Sequence, residues 1–415
     1  MTPPRTNAQN LLLIILIGAL NTITPFSIDM YLPAFPKIAA DLGTDISKVA
    51  LTVSTYFLGF ALGQILYGPL LDRFGRKKPL YTGLLLYIIA TIGCSLAANI
   101  NMLLVLRFLQ ALTGCVASVA AMAMVLDFFP PEKSARIISS LILILGVSPL
   151  LAPTIGGLII TLVGWRFIFV TLACIVVVLL LLSIFLLPEG RKADPTVSLK
   201  PNDIITGFVQ ILKQPRFYVY VLSGTFSFAG LFVYVAGSPA VFMHEFYVSP
   251  KTYSAIFAGL SIGFIGSSQF NYLLADRFRN HLIFKTVLTV QVITSILFLL
   301  TVTSGFGTLP VILVFLFILL SCSGLTFPNA AAVALTPFTN NAGIASALSG
   351  FIQIGIGGLI SSGVGALPYK GSYTVAIIMA ASSAIAYGIL LLGKNAHKQF
   401  EHSEGNSKAV VHTGF

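Results

Sequence analysis

Residues 68–80 read Gly-Pro-Leu-Leu-Asp-Arg-Phe-Gly-Arg-Lys-Lys-Pro-Leu, and the rest of the chain can be oriented from this stretch. A long apolar run stops at the carboxylate of Asp72, and four cations, Arg73, Arg76, Lys77 and Lys78, follow before the next apolar run begins. Gly68 and Gly75 leave room for close backbone approach. A loop so short and so basic belongs on the cytoplasmic side of a membrane. Any short cytoplasmic loop carries Lys and Arg, but that alone does not account for Gly, Asp-Arg and Gly-Arg at this spacing.

Composition agrees. Apolar residues make up 56% of the chain and charged ones only 9%, with a mean hydropathy of +0.95, which excludes a water-soluble fold of this length. The expected class is an all-α polytopic membrane protein. The net charge of +11 does not indicate nucleic acid, because the cations sit in loops between apolar runs. Cys94, Cys115, Cys174 and Cys322 all lie inside apolar runs, so they read as small packing residues and indicate neither disulfides nor a metal site. Arg5 precedes a first apolar run without a small-residue cleavage site, which reads as an uncleaved first span.

Spanning about 30 Å of hydrocarbon at about 1.5 Å per residue takes some twenty residues. Twelve segments meet that length: 10–32, 49–71, 79–97, 102–128, 135–163 and 167–187, then 217–238, 252–275, 282–303, 309–333, 343–367 and 372–393. With alternate loops on alternate sides, eighteen of the 24 lysines and arginines fall on one side, which predicts both termini in the cytoplasm. The expected division is a six-helix bundle over 1–187, a linker over 188–216, a second bundle over 217–393 and a tail over 394–415. In the linker, Ile204, Ile205, Phe208, Ile211 and Leu212 share one helical face flanked by Lys200, Lys213 and Arg216. That pattern predicts an interfacial helix with its apolar face toward lipid. Asp72-Arg73-Phe74 recurs as Asp276-Arg277-Phe278, an internal repeat that places a binding site between two bundles near mid-membrane.

Charges inside spans are costly and usually functional. Apart from span ends such as Asp127, two stand out: Asp29 in the first span and Arg107 in the fourth. Counted from Pro33 and Asn101, both lie about 6 to 9 Å below the outer interface, so they are expected to be neighbours. A static buried ion pair that fixes register is one reading. A carboxylate whose protonation switches as a cavity opens is the other.

Several stretches resemble one family. The 68–80 loop is similar to the loop between the second and third helices of the major facilitator superfamily. There the Asp and Arg bond across the two halves when the cavity faces outward, which implies gating roles for Gly68, Asp72, Arg73, Gly75 and Arg76. Arg-Phe-Leu-Gln-Ala-Leu-Thr-Gly at 107–114 resembles the superfamily's fourth-span motif, whose Arg is associated with proton transfer. Ser-Ile-Asp-Met-Tyr-Leu-Pro at 27–33 resembles the first-span signature of drug:proton antiporters, where the Asp is a proton site.

Residues 146–157, with Pro149, Pro153, Gly156 and Gly157, resemble the bending motif that marks exporters, with Ser148 where a Gly is usual. Residues 228–239, 327–332 and 343–353 resemble the bicyclomycin- and chloramphenicol-resistance subgroup. The resemblance implies twelve helices in two pseudo-symmetric bundles. Some relatives carry a second acid where this chain has Asn21, and the departure argues against lipophilic cations and against more than one proton per cycle.

The expected substrate wall combines Asn21, Tyr31, Tyr56, Phe60, Gln110, Phe228, Phe232, Tyr234 and Gln353, aromatic with few polar anchors, as suits a medium-sized apolar ligand. For each aromatic, helix packing is the competing role. The expected function is proton-coupled efflux of small hydrophobic antimicrobials by a monomer in the bacterial inner membrane, with protons as coupling ion and no cofactor. Transport of an amino acid or sugar is the alternative, but intramembrane charge is scarce for it. No enzyme constellation stands in a span, and His244 with Glu245 reads as a solvated outer turn.

Overall fold

The computed structural model describes residues 7–129, 131–188, 190, 193–197, 199, 201–338, 342–367 and 371–393. It is helical throughout. The N-terminal half comprises α1 (Asn7–Asp29), α2 (Phe35–Asp41), α3 (Ile46–Phe74), α4 (Lys77–Ser95), α5 (Ile100–Phe128), α6 (Pro131–Leu162) and α7 (Arg166–Leu186). The linker holds α8 (Pro201–Leu212). The C-terminal half comprises α9 (Pro215–Pro239), α10 (Pro250–Ala275), α11 (Asn280–Thr303), α12 (Leu309–Leu335), α13 (Ala342–Ala366) and α14 (Ser372–Leu392).

Twelve of these helices are long, six in each half. A helix closes all its interior backbone hydrogen bonds within itself, which a bilayer requires. Among the described residues, ten helical segments are both long and apolar enough to cross a membrane. The other two long helices are α6 and α10, with 32 and 26 residues. α10 buries Ser254, Ser261 and Gly263 against protein, its Asn271 accepts from Asn329 of α12, and it packs against α6 between the halves. Helix starts are marked locally: Asn99 accepts from the Met102 amide at 2.9 Å, and Ser249 accepts from the Thr252 amide at 3.2 Å.

The first span differs from the expected continuous run over 10–32. α1 stops at Asp29, and the chain passes through a 3₁₀ turn, Leu32–Ala34, into the short α2. Pro33 and Pro36 explain the break, since each removes an amide donor and disfavours helix in the residue before it. Trp165 Nε1 donates to Asp41 at 2.8 Å and pins α2 against the start of α7. The seventh span has a matching irregularity, a wide π turn over Ala240–Glu245. His244 and Glu245 are exposed, as expected of an outer turn, but Glu245 also accepts from the amide and hydroxyl of Ser372 at 2.6 and 2.7 Å, starting α14.

The halves meet along α3 with α13 and α6 with α10. Ser54 and Ser361 hydroxyls lie 2.8 Å apart, and Ser254 donates to the Pro153 carbonyl at 2.9 Å. A Cβ on Gly365 would collide with the Ser47 carbonyl. These contacts lie toward the end of the bundle remote from the 68–80 loop. Toward that loop, here termed the basic end, the seam runs as far as Gln64 against Gly350, while a Cβ on Gly68 would meet nothing within 4 Å. Among the described residues, the contacts between the halves concentrate at the far end and thin out toward the basic end.

The linker helix α8 is not wholly lipid-facing. Ile211 is buried and Phe208 half-buried against Phe217, Tyr220 and Ala345, while Ile205, Val209 and Leu212 stay exposed on another stripe. Ile204 and Lys200 lie outside the described side chains, as does the tail 394–415. Cys94, Cys115 and Cys322 are buried as packing residues, but Cys174 is exposed on the outer face of α7.

Candidate functional site

Asp29 terminates α1 and is 6% exposed. Its carboxyl makes no hydrogen bond or ion pair among the described residues. The turn that follows is held by α6: a Cβ on Gly156 would overlap the Met30 carbonyl, and Gly157 faces Ser254 of α10. Pro149 and Pro153 lie inside α6, so the expected bend motif sits where the halves cross and where the backbone after Asp29 is clamped. The 3₁₀ turn that follows Asp29 packs against α9 and α10 of the C-terminal half, which carry Tyr234 and Tyr253. Tyr253 bonds Ser238 at 2.9 Å. Tyr234 stacks on Phe257 with ring centres 5.3 Å apart, and its hydroxyl has no partner. The acid therefore lies at the seam between the halves.

Arg107 looks elsewhere. It is fully buried within the N-terminal half, its guanidinium carbon 4.4 Å from the Tyr56 ring centre, 4.7 Å from Tyr31 and 5.8 Å from Phe169. Nη1 donates to Gln110 Oε1 at 2.6 Å, while Nε and Nη2 have no partner. Gln110 in turn donates to Thr91 at 2.9 Å, and Tyr87 donates to Ser27 at 2.6 Å, two residues before Asp29. The expectation that Asp29 and Arg107 face each other as a pair is corrected: no ion pair joins them. Equal depth from sequence placed them in one layer, but the helix rotations that decide direction come from packing. Aromatic faces and one amide surround the cation instead.

That cage also changes the reading of Tyr31, Tyr56 and Gln110. They are fully buried around Arg107 and do not line an open wall. Tyr31 donates to Thr52 at 2.9 Å. Asn21 is buried one helical face away, with its Nδ2 unpartnered. Phe228 and Phe232 instead form an aromatic seam between the halves. Phe57 meets Phe232 edge-on at 4.5 Å, Phe232 meets Phe228 at 5.5 Å, and Phe228 packs on Phe327 at 4.9 Å and Phe264 at 6.0 Å. Phe60 is buried in the same core. Gln353 and Ser349 share a small hollow with Tyr220 and Phe327, about 20 Å³, room for one water.

The 68–80 loop is built as a charge clamp. Gly75 takes φ +80°, a positive-φ backbone suited to glycine, and the turn brings Arg76 back over the end of α3. Arg76 donates to Asp72 at 2.6 Å and to Asp127 at 2.7 and 3.3 Å. The linker closes the clamp: the Asp194 amide donates to the Asp72 carbonyl at 3.1 Å, and Arg73 donates to the Val197 carbonyl at 2.8 Å. In this conformation, then, Asp72 and Arg73 do not bond across the halves. Asp127 is a site residue the sequence reading set aside as a mere span end, and Phe57, Phe264 and Ser254 were also missed. Asp127 carried the only available signal, as the one acid at its end of the fourth span.

The family model for the major facilitator superfamily matches residues 17–362. The chain belongs to this superfamily. Superfamily members similar to it include an uncharacterized MFS-type transporter, YdgK, of Bacillus subtilis, 32% identical over 87% of this chain and 90% of that protein. The multidrug resistance protein MdtL of Escherichia coli is 34% identical over 81% of this chain and 84% of its own length. The bicyclomycin resistance protein homolog of Haemophilus influenzae is 27% identical over 91% and 95%. Among solved structures, an inward-facing, occupied bacterial homolog of the lysosomal transporter Spinster superposes with a TM-score of 0.75 at 14% identity, covering 94% of this chain and 98% of that one. A D-xylose–proton symporter superposes with a TM-score of 0.69 at 15% identity over 93% and 98%. The superfamily fold is thereby established. The protein is a multi-pass membrane transporter of this superfamily and not an enzyme, and it handles a small-molecule substrate.

Proposed function

We propose that the protein exports small, moderately hydrophobic antimicrobials in exchange for protons, by alternating access between its two halves. The observation that carries this reading is Asp29: a buried carboxyl with no cation beside it, at the end of a broken helix, against the other half. Burying an isolated carboxylate is costly, and a bound proton removes the cost. In this reading, Asp29 holds its proton while the far end is closed and the basic end faces the cytoplasm of a bacterium.

Substrate then enters between the halves from the cytoplasm or bilayer and meets the aromatic seam of Phe57, Phe228 and Phe232. Loss of the Asp29 proton to the cytoplasm leaves a charge that the present seam cannot hold, and the halves rock to the state in which it is solvated from outside. Arg107, with two N–H groups unpartnered, supplies positive potential to the same half and is available to the ionised carboxylate as the turn after Asp29 moves. Each proton entering contributes about 2.3 kcal/mol per 100 mV of membrane potential. The names of the relatives at 27–34% identity support drug export.

Asp29→Asn is expected to fold and reach the membrane yet to lose efflux driven by a pH gradient, measured with a drug panel in a hypersensitive bacterial host and by transport in vesicles. Undiminished gradient-driven efflux in that variant would overturn the mechanism.

A further inference from the structure

At the basic end of the C-terminal half lies a cleft of about 470 Å³ that the transport cycle above does not use. Arg216 at the start of α9, the turn from α10 to α11 with Asp276, Arg277 and Arg279, His281, and Thr336 after α12 line it. Three arginines face one carboxylate. Arg277 and Arg279 make no side-chain hydrogen bond or ion pair among the described residues, and neither does Asp276. The N-terminus of α11, a 24-residue helix, opens into the same space through Asn280 and His281, and its N-cap residue Arg279 offers no side-chain cap. The positive end of a long helix and two free guanidinium groups converge on one hollow.

We infer that this cleft binds the phosphate of an anionic phospholipid headgroup from the leaflet at the basic end. Guanidinium groups bind phosphate oxygens through paired N–H donors, and a helix N-terminus favours the same charge. Basic pockets between transmembrane helices suit such headgroups. The rim favours a lipid over a soluble phosphate: Tyr272, Leu273, Phe278 and Leu282 are 73%, 57%, 55% and 46% exposed beside the cleft, an apolar border for the glycerol backbone and upper acyl chains.

The test uses the purified full chain in nanodiscs and counts lipids retained on transfer to detergent by native mass spectrometry. With phosphatidylglycerol, one tightly retained lipid is expected, and with phosphatidylcholine none. Arg277→Gln/Arg279→Gln removes two exposed side chains, leaves the thermal midpoint unchanged, and should lower retention about thirtyfold. Lys78→Gln/Lys213→Gln removes the same charge elsewhere at the basic end and should leave retention intact. Equal losses in the two double variants would mean diffuse surface electrostatics and would sink the site, as would equal retention of the two lipids. Inorganic phosphate is the competing source: failure to displace the lipid at millimolar concentration supports the lipid, whereas displacement there assigns the cleft to soluble phosphate and overturns the lipid assignment.

Discussion

The turn after α3 and the turn after α10 share Asp-Arg-Phe at the basic ends of their halves, but they differ in what surrounds those residues. In the first, two residues separate the helices, Gly75 reverses the chain at φ +80°, and Arg76 lies between Asp72 and Asp127. In the second, four residues separate the helices, and the position matching Gly75 is Arg279 with ordinary extended backbone at φ −71°. The position matching Arg76 is Asn280, and α12 carries no acid where α5 carries Asp127 near its end. The first turn is neutralised from within and roofed by the linker. The second keeps unpartnered cations over an open cleft. One repeated tripeptide therefore serves as a structural clamp in one half and as a candidate ligand site in the other, because the partner residues lie on other helices and diverged.

The largest effect that would break this contrast is at Arg76, whose side chain is 7% exposed beside Asp127 at 14%. Arg76→Gln removes the guanidinium from between Asp72 and Asp127 and should cost about 2 to 4 kcal/mol, read as a lower midpoint of thermal unfolding in detergent. Asn280→Gln, at the matching position, should change stability by less than about 0.5 kcal/mol. Adding Asp127→Asn to Arg76→Gln should recover part of the loss. Equal sensitivity of the two turns would dissolve the distinction.

A smaller effect is expected at Gly75. Alanine there must adopt a positive-φ, extended backbone essentially reserved for glycine, at about 1 to 3 kcal/mol, whereas Arg279→Ala meets no such strain; paired thermal midpoints measure the difference. Smallest is Arg73→Gln, which removes the bond to the Val197 carbonyl. The expected cost is about 0.5 to 1.5 kcal/mol, and the sharper readout is faster proteolysis within 190–197. Arg277→Gln should leave that cleavage rate unchanged.

The functional core shows the same division between what was legible and what was not. Asp29, Arg107 and the proline-glycine motif of α6 were visible because charge and proline within an apolar run are rare and costly, whatever surrounds them. Gly156 proved to sit on the backbone just after Asp29, which no spacing along the chain announces. Phe57 escaped notice because the chain holds 32 phenylalanines, and only the crossing of α3 with α9 sets this one against Phe232.

Hydropathy, loop charge and the repeated tripeptide determined the class, the twelve spans and the two halves, since each depends on residues near one another in the chain. Which way each buried charge points was decided only by the tertiary structure. Asp29 lies at the seam with the opposite half, and Arg107 sits in an aromatic cage of its own half. Helix rotation is set by packing between segments tens to hundreds of residues apart, and equal depth along two helices says nothing about their facing.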